Sequence, residues 1–320
     1  MALDGGLQMS WDDGLLVAHG TNLFLYDEQN HLQKTIGLPI SPQTPVSAIA
    51  VDKDCWWAGT TGAGVLRMDK TGKITCIYGE TNGLLMPTIT ALCRVDDRLW
   101  IGFGFQRSGG LGYLDLKTDK FIGLSPEANV GTPTKEDLNA PPASPVLSIE
   151  TGDGKTIWVA TRRAVRQYDS ASARLLKSFE STIVLSAAGT NFVAVSAISG
   201  AIPGLGAVRI FSTVSNRWTN IAFSPNRDLN NVWSLNADGT FLWAGGQDLI
   251  KLINPATSQV IAAYKCPGVG NITRILTTGN DVWFAASDFR TIKLYLLAKP
   301  SPPAKANSEA ETDFKELQRL

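Results

Sequence analysis

Residues 46–78 read VSAIAVDKDCWWAGTTGAGVLRMDKTGKITCIY, and this stretch decides the fold. It holds four short apolar runs, separated by turns that are rich in Asp, Lys, Thr and Gly. Short runs with frequent turn signals are typical of β-strands rather than helices. The stretch therefore predicts a small sheet of four antiparallel strands joined in sequence.

The centre of this stretch, Trp56–Gly59, recurs along the chain as an apolar, a large, an apolar and a small residue. The large position is occupied in turn by Leu16, Trp57, Trp100, Trp158, Val193, Trp243 and Trp283. These positions are on average about 44 residues apart, a period typical of propeller blades. We therefore predict an all-β chain, folded as one seven-bladed β-propeller with four-stranded antiparallel blades.

The repeated tryptophan has two interpretations, a stripe of aromatic binding residues or a packing residue between blades. We favour packing, because a large flat side chain at one fixed place in each blade fills the wedge between neighbours. The inner strands support this interpretation, since a small residue recurs there and lets the blades converge. The small residues are Ala48, Ala91, Ser148 and Ser234, whereas blade seven has Arg274.

The composition changes near residue 298, and this change sets the expected domain boundary. We assign residues 1–297 to the propeller and residues 298–320 to a proline-rich linker followed by a short C-terminal helix. The helix is suggested by Ser308 and Glu311, which have the spacing of a capping box.

The same boundary limits how the last blade is completed. The prolines after residue 298 disfavour a regular strand, and Met1–Gly6 is short for one. We therefore predict that the last blade has three strands. Its outer edge would be open, or covered by the tail helix through Phe314 and Leu317.

Charge and composition exclude several function classes. Lys plus Arg equals Asp plus Glu at 29 each, so the basic excess of a nucleic-acid binder is missing. No run of 18 apolar residues occurs, and we expect neither a signal peptide nor a transmembrane segment in this chain. The four cysteines form no C-x-x-C pair, so we expect free thiols, no metal and no cofactor.

Two stretches resemble the two-component regulator propeller repeat. Residues 57–69 read WAGTTGAGVLRMD, and residues 83–102 read GLLMPTITALCRVDDRLWIG, followed by a glycine pair at 109–110. The resemblance is good over residues 46–126. It implies a β-propeller and a sensor-type module that often recognises carbohydrate. It also implies an extracytoplasmic location if the chain is part of a sensor.

Three insertions point to a binding surface, because loops carry most binding residues. They are Phe103–Gly110, Ser125–Ser144 and Ser196–Gly206, all of the class that joins strands two and three or one blade to the next. Aromatic and arginine side chains in such loops suit a carbohydrate, a carboxylate or a peptide segment. With Arg274, the candidate binding residues are Phe105, Arg107, Arg162, Arg163, Arg227, Asp248, Phe289 and Arg290.

No catalytic motif is present, and we predict a binding or scaffolding module rather than an enzyme. The chain has two histidines, and His19 has no evident carboxylate partner in the sequence. The alternative is a propeller lyase of the streptogramin-lyase type, whose site resembles a histidine with acidic residues. The expected ligand is a carbohydrate or a protein segment at the long loops.

The packing interpretation of the tryptophans can be tested by mutation. We expect Trp100→Ala and Trp158→Ala each to destabilise the protein by about 3–5 kcal/mol, because each empties a buried aromatic site. Thermal or denaturant unfolding measures the loss. A variant that kept its melting temperature and lost only ligand binding would contradict the packing role.

Overall fold

The computed structural model describes residues 6–106, 108–124, 142, 144–180, 185–196, 207–222, 232–278, 281–288, 291–298, 309–311 and 314–319. Nearly all of these residues lie in β-strands or in the turns between strands, and the one helical element among them is a 3-10 turn at Glu80–Asn82. None of the described residues forms a helix with the length and hydropathy needed to cross a membrane. The described strands form seven sheets, which are the blades of a seven-bladed β-propeller.

The chain divides by its contacts into two compact units. The first comprises Met1–Ile149 and Gly154–Thr182, and the second comprises Glu150–Asp153 and Ile183–Leu320.

Blades one to four are four-stranded antiparallel sheets whose strands follow one another in chain order, each joined to the next by a tight connection. Blades one and two contain β1 (Gln8–Trp11), β2 (Leu15–His19), β3 (Asn22–Tyr26), β4 (Leu32–Gly37), β5 (Val46–Val51), β6 (Cys55–Thr60), β7 (Val65–Asp69) and β8 (Ile74–Tyr78). Blades three and four contain β9 (Ile89–Val95), β10 (Arg98–Phe105), β11 (Ser108–Asp115), β12 (Lys120–Gly123), β13 (Val146–Glu150), β14 (Thr156–Thr161), β15 (Ala164–Asp169) and β16 (Leu175–Glu180).

Blades five to seven follow the same plan, with an addition at the end. Blades five and six contain β17 (Leu185–Gly189), β18 (Phe192–Ser196), β19 (Ala207–Ser212), β20 (Arg217–Ala222), β21 (Ser234–Ala237), β22 (Leu242–Gly245), β23 (Leu249–Asn254) and β24 (Gln259–Lys265). Blade seven begins with β25 (Asn271–Thr278), β26 (Asp281–Ser287) and β27 (Ile292–Ala298), and the chain ends with β28 (Glu309–Glu311) and β29 (Lys315–Arg319).

The last two strands correct the expected ring closure. β29 pairs antiparallel with β27 and completes blade seven, so the prediction of a three-stranded last blade is wrong. β28 pairs parallel with β24 and gives blade six a fifth strand. The predicted tail helix is wrong for the same reason, because β27 and β24 offer unpaired edges that extended backbone can satisfy. The prolines of the linker lie outside the described residues.

The tryptophans of the second strands are buried, which confirms their packing role. Trp57, Trp100 and Trp158 are exposed by 2% or less, as are Trp243 and Trp283. The rings of Trp57, Trp158 and Trp243 also lie against aromatic side chains of the fourth strands, as Trp57 does against Tyr78 at 5.9 Å between ring centroids. Burial of such large apolar surfaces supplies much of the stability of each blade.

The small residue that ends the repeated motif has a physical role of its own. A Cβ added to Gly102 would lie 2.6 Å from Cγ1 of Val146, the first residue of the next inner strand. Gly59 and Ile89 make the same close approach at 2.5 Å. The motif therefore combines a large residue that fills the space between blades with a small residue that lets the next inner strand approach.

The role of the last strand in stability is testable through its aromatic anchor. Phe314 lies edge-on to the ring of Tyr295 at 5.5 Å and packs on the core of blades six and seven. We expect Phe314→Ala to lower the unfolding free energy by about 1–2 kcal/mol, since a partly buried ring is lost. The exposed neighbour Lys315→Ala is the matched control, and equal melting temperatures for both variants would contradict the closing role.

Candidate functional site

The blades of the first unit have two ends, which are defined by the connections between strands. The short-turn end carries the turns between strands one and two and between strands three and four. The long-loop end carries the connections between strands two and three and those from blade to blade. Among the predicted binding residues that the structure describes, Arg274 lies on an inner strand, and the others lie at connections between second and third strands: Phe105, Arg162, Arg163 and Asp248.

Two carboxylates of the short-turn end hold neighbouring blades together. Asp12 accepts hydrogen bonds from Nε1 of Trp56, at 2.5 Å, and from Nζ of Lys70 in the next blade. Asp52 pairs with Nε of Arg94 at 2.8 Å, again across a blade boundary. These contacts link blades one, two and three in succession, so the short-turn end has a structural role.

Phe105 stands at the tip of a hairpin rather than in a loop. The predicted insertion Phe103–Gly110 is in fact paired strand, since β10 and β11 run together as far as Phe105 opposite Ser108. Phe103 is fully buried and packs edge-on against Phe121, whereas Phe105, two residues further on, is 50% exposed. The hairpin therefore holds an aromatic side chain out at the long-loop end.

Glycine allows this hairpin to lie against the start of blade four. A Cβ added to Gly109 would stand 2.4 Å from the carbonyl oxygen of Ser144 and 2.6 Å from Cα of Pro145. No side chain fits in that space, so the hairpin backbone rests directly on the segment that leads into β13. Phe105 is thereby placed beside blade four.

The turn of blade four that faces the same end is fixed by a buried hydroxyl. Oγ1 of Thr161 accepts hydrogen bonds from the backbone N–H groups of Arg163, at 3.3 Å, and Ala164, at 3.1 Å. This turn leaves the side chains of Arg162 and Arg163 exposed. Phe105, Arg162 and Arg163 thus occupy the same end of two neighbouring blades, and we call them the Phe105–Arg163 surface.

Of the other predicted residues, Asp248 and Arg274 belong to the second compact unit. Asp248 has a left-handed backbone with φ of 52°, and its Oδ1 accepts the backbone N–H of Gly270 at 2.7 Å. Its backbone N–H donates to the carbonyl oxygen of Gly270, and its carbonyl oxygen accepts from the N–H of Cys266, so Asp248 fixes this turn. The remaining four candidates lie outside the described residues: Arg107, Arg227, Phe289 and Arg290.

Arg274 has a charged partner that the sequence analysis missed. Glu150 ends an inner strand and belongs to the same compact unit as Arg274. Burial raises the pKa of Glu150 to about 7, and the nearby positive charge of Arg274 opposes that rise. Burial likewise lowers the pKa of Arg274, although water reaches its side chain. A glutamate at an otherwise apolar strand end is the sequence signal that could have revealed the pair.

His19 lies at the end of β2 and is half-buried, and burial lowers the pKa of its ring. Within the part of the chain that the structure describes, no carboxylate forms an ion pair with it and no cluster of His, Cys, Asp and Glu could hold a metal ion. None of the four cysteines forms a disulfide.

Glu150 predicts a pH effect on stability. Between pH 4.5 and about 7 the folded chain keeps a proton that the unfolded chain has released, so the unfolding free energy falls as pH rises. Glu150→Gln should remove this decline. The measurement is the unfolding free energy of each protein from denaturation curves at several pH values in that range. The lowered pKa of His19 makes stability rise with pH, but it does so equally in both proteins and cancels in their difference. Parallel pH profiles for both proteins would contradict the assignment.

Comparison with known proteins shows the fold. No protein-family model matches the chain, and no curated protein sequence matches it. The WD40 domain of Neurospora crassa Pan2 is similar in structure with a TM-score of 0.68 and 12% identity, over 93% of this chain and 90% of that one. A chain of the mitotic checkpoint complex has a TM-score of 0.66 and 13% identity, over 89% and 85%. The chain therefore shares its fold with WD40-type propellers.

Proposed function

We propose that this chain is a non-catalytic binding module whose Phe105–Arg163 surface binds a segment of a partner protein. The observation that carries the proposal is the half-exposed ring of Phe105, held on a paired hairpin, together with two exposed arginines at the same end of the next blade. Aromatic and arginine side chains are the residue types that most often supply binding energy at protein interfaces.

The chemistry of this surface indicates the kind of segment. Phe105 offers an apolar contact, and the guanidinium groups of Arg162 and Arg163 favour carboxylates through charge-assisted hydrogen bonds. A segment that carries an apolar side chain next to Asp or Glu would satisfy both. The mitotic checkpoint complex, which contains a similar propeller, is an assembly of proteins and supports a protein partner over a carbohydrate.

The repeat resemblance over residues 46–126 supports a sensor-type use of the same surface. In that case the bound segment would be the signal that the module reports.

The proposal is tested by selecting peptides from a random library displayed on phage. We expect acidic peptides with an apolar residue to be enriched, and Phe105→Ala to weaken the selected peptide about 10- to 100-fold, as at interface hot spots. Arg162→Glu combined with Arg163→Glu should weaken it further and make it less dependent on salt.

Two variants serve as controls on the same compact unit. Lys53→Glu reverses an exposed charge at the short-turn end, and Ile77→Ala removes an apolar side chain that is 54% exposed on an outer strand. Both should bind the selected peptide like the wild type. Selected peptides that bind equally to the Phe105→Ala protein, or enrichment of no peptide at all, would overturn the proposal.

A further inference from the structure

The closing strand of blade seven differs from every other fourth strand in how it is connected. In blades one to six, four or five residues join the third strand to the fourth. In blade seven, 16 residues separate Ala298 from Lys315. Ten of these residues precede β28, which pairs with blade six. A four-residue turn ties a strand to its own sheet, whereas ten residues can span about 33 Å. By connection length, β28 and β29 together can therefore pair with sheets other than those of their own chain.

The site that holds this strand is built from backbone edges. β27 offers its outer edge, where Tyr295 is opposite Glu316 and Leu296 is opposite Lys315. β24 offers a second edge, on which residues 309–311 add a parallel strand. Because backbone hydrogen bonds carry most of this pairing, any chain with the same extended segment can form it.

Two side-chain contacts give the site its specificity. The ring of Phe314 lies edge-on to Phe284 at 6.2 Å and to Tyr295 at 5.5 Å, and those two rings stack on each other at 5.0 Å. Lys293 pairs with Glu316 through Nζ and Oε2 at 2.8 Å. An aromatic side chain followed two residues later by a glutamate is thus the chemistry that the site recognises.

The sequence that connects the last two strands to blade seven is rich in proline. Residues 299–308 contain Pro300, Pro302 and Pro303. Proline favours extended backbone over a tight return turn, so the edges of a second copy are an alternative to the chain's own edges. Exchange of identical elements between copies then requires no new contact.

We propose that the outer edges of blades six and seven form a strand-acceptor site that also takes the C-terminal segment, residues 309–319, from a second copy of this chain. Reciprocal exchange would link two copies into a dimer. Each copy would supply to the other the aromatic anchor and the glutamate that complete the site.

The first experiment measures acceptance of the segment. A fluorescent synthetic peptide of residues 309–320 is added to the full-length Phe314→Ala chain, whose own segment is weakened while its acceptor site is intact. We expect saturable binding at least about tenfold tighter than to the wild-type chain, and loss of binding when the peptide itself carries Phe314→Ala. A folded Phe314→Ala chain that takes up no peptide would overturn the proposal.

The second experiment measures exchange between copies and does not depend on that variant. The full-length Lys293→Glu and Glu316→Lys chains each carry a repulsive pair within one chain, and reciprocal exchange restores both pairs. Sedimentation of the mixture should show at least about fivefold more dimer than either chain alone. The double variant in a single chain is the control and should behave like the wild type. A mixture with no more dimer than its components would contradict exchange.

Discussion

The contact between a second-strand tryptophan and the following blade, made by Trp57, Trp100 and Trp243, is the constraint on which the rest of the structure depends. Trp100 is fully buried, and its ring lies 5.2 Å from Tyr113 in its own blade and 6.4 Å from Tyr168 in the next. Close packing of this kind fixes the spacing of neighbouring blades, because interiors tolerate neither voids nor overlaps. Gly102 completes the contact by giving space to Val146.

The side chains at the two ends of the first unit make different kinds of bonds. At the short-turn end, Asp12 and Asp52 are used in bonds to the following blade, through Lys70 and Arg94. At the long-loop end, Thr161 bonds only to its own turn, and the arginines that follow are exposed. One end therefore uses its charges for stability, and the other keeps exposed side chains, which is the basis of the proposed binding role.

The repeated motif was enough to predict the fold, because a buried tryptophan and the glycine two residues after it report a periodic packing contact. Local patterns were less informative where long-range pairing decides the outcome. The capping-box spacing of Ser308 and Glu311 suggested a helix. Instead, the ring of Phe314 packs against Tyr295 of β27, and the backbone on both sides of Phe314 is in strands. The residues near Phe314 carry no sequence pattern that indicates the outer edge of β27 as their pairing partner.

The candidate site shows the same limit. Phe105 and the arginine pair were identified from residue type and loop class, and the structure places them at one end of neighbouring blades. Phe103 was expected in a loop and is buried, because Gly104 and Gly109 let the strands continue against Pro145. Asp248 was chosen for its loop class, and its bond to the Gly270 backbone was not foreseen, because such a turn has no sequence signature. The two-component repeat resemblance stays a prediction.

The most direct test of a protein-binding role is to place a photo-reactive phenylalanine analogue at position 105 in the full chain and identify what it captures. The account predicts a cross-link to one defined polypeptide, through a segment with an apolar residue beside an acidic one. The same analogue at position 53, at the short-turn end, should capture none of it. Equal capture at both positions, or a cross-link at position 105 to carbohydrate alone, would contradict the account.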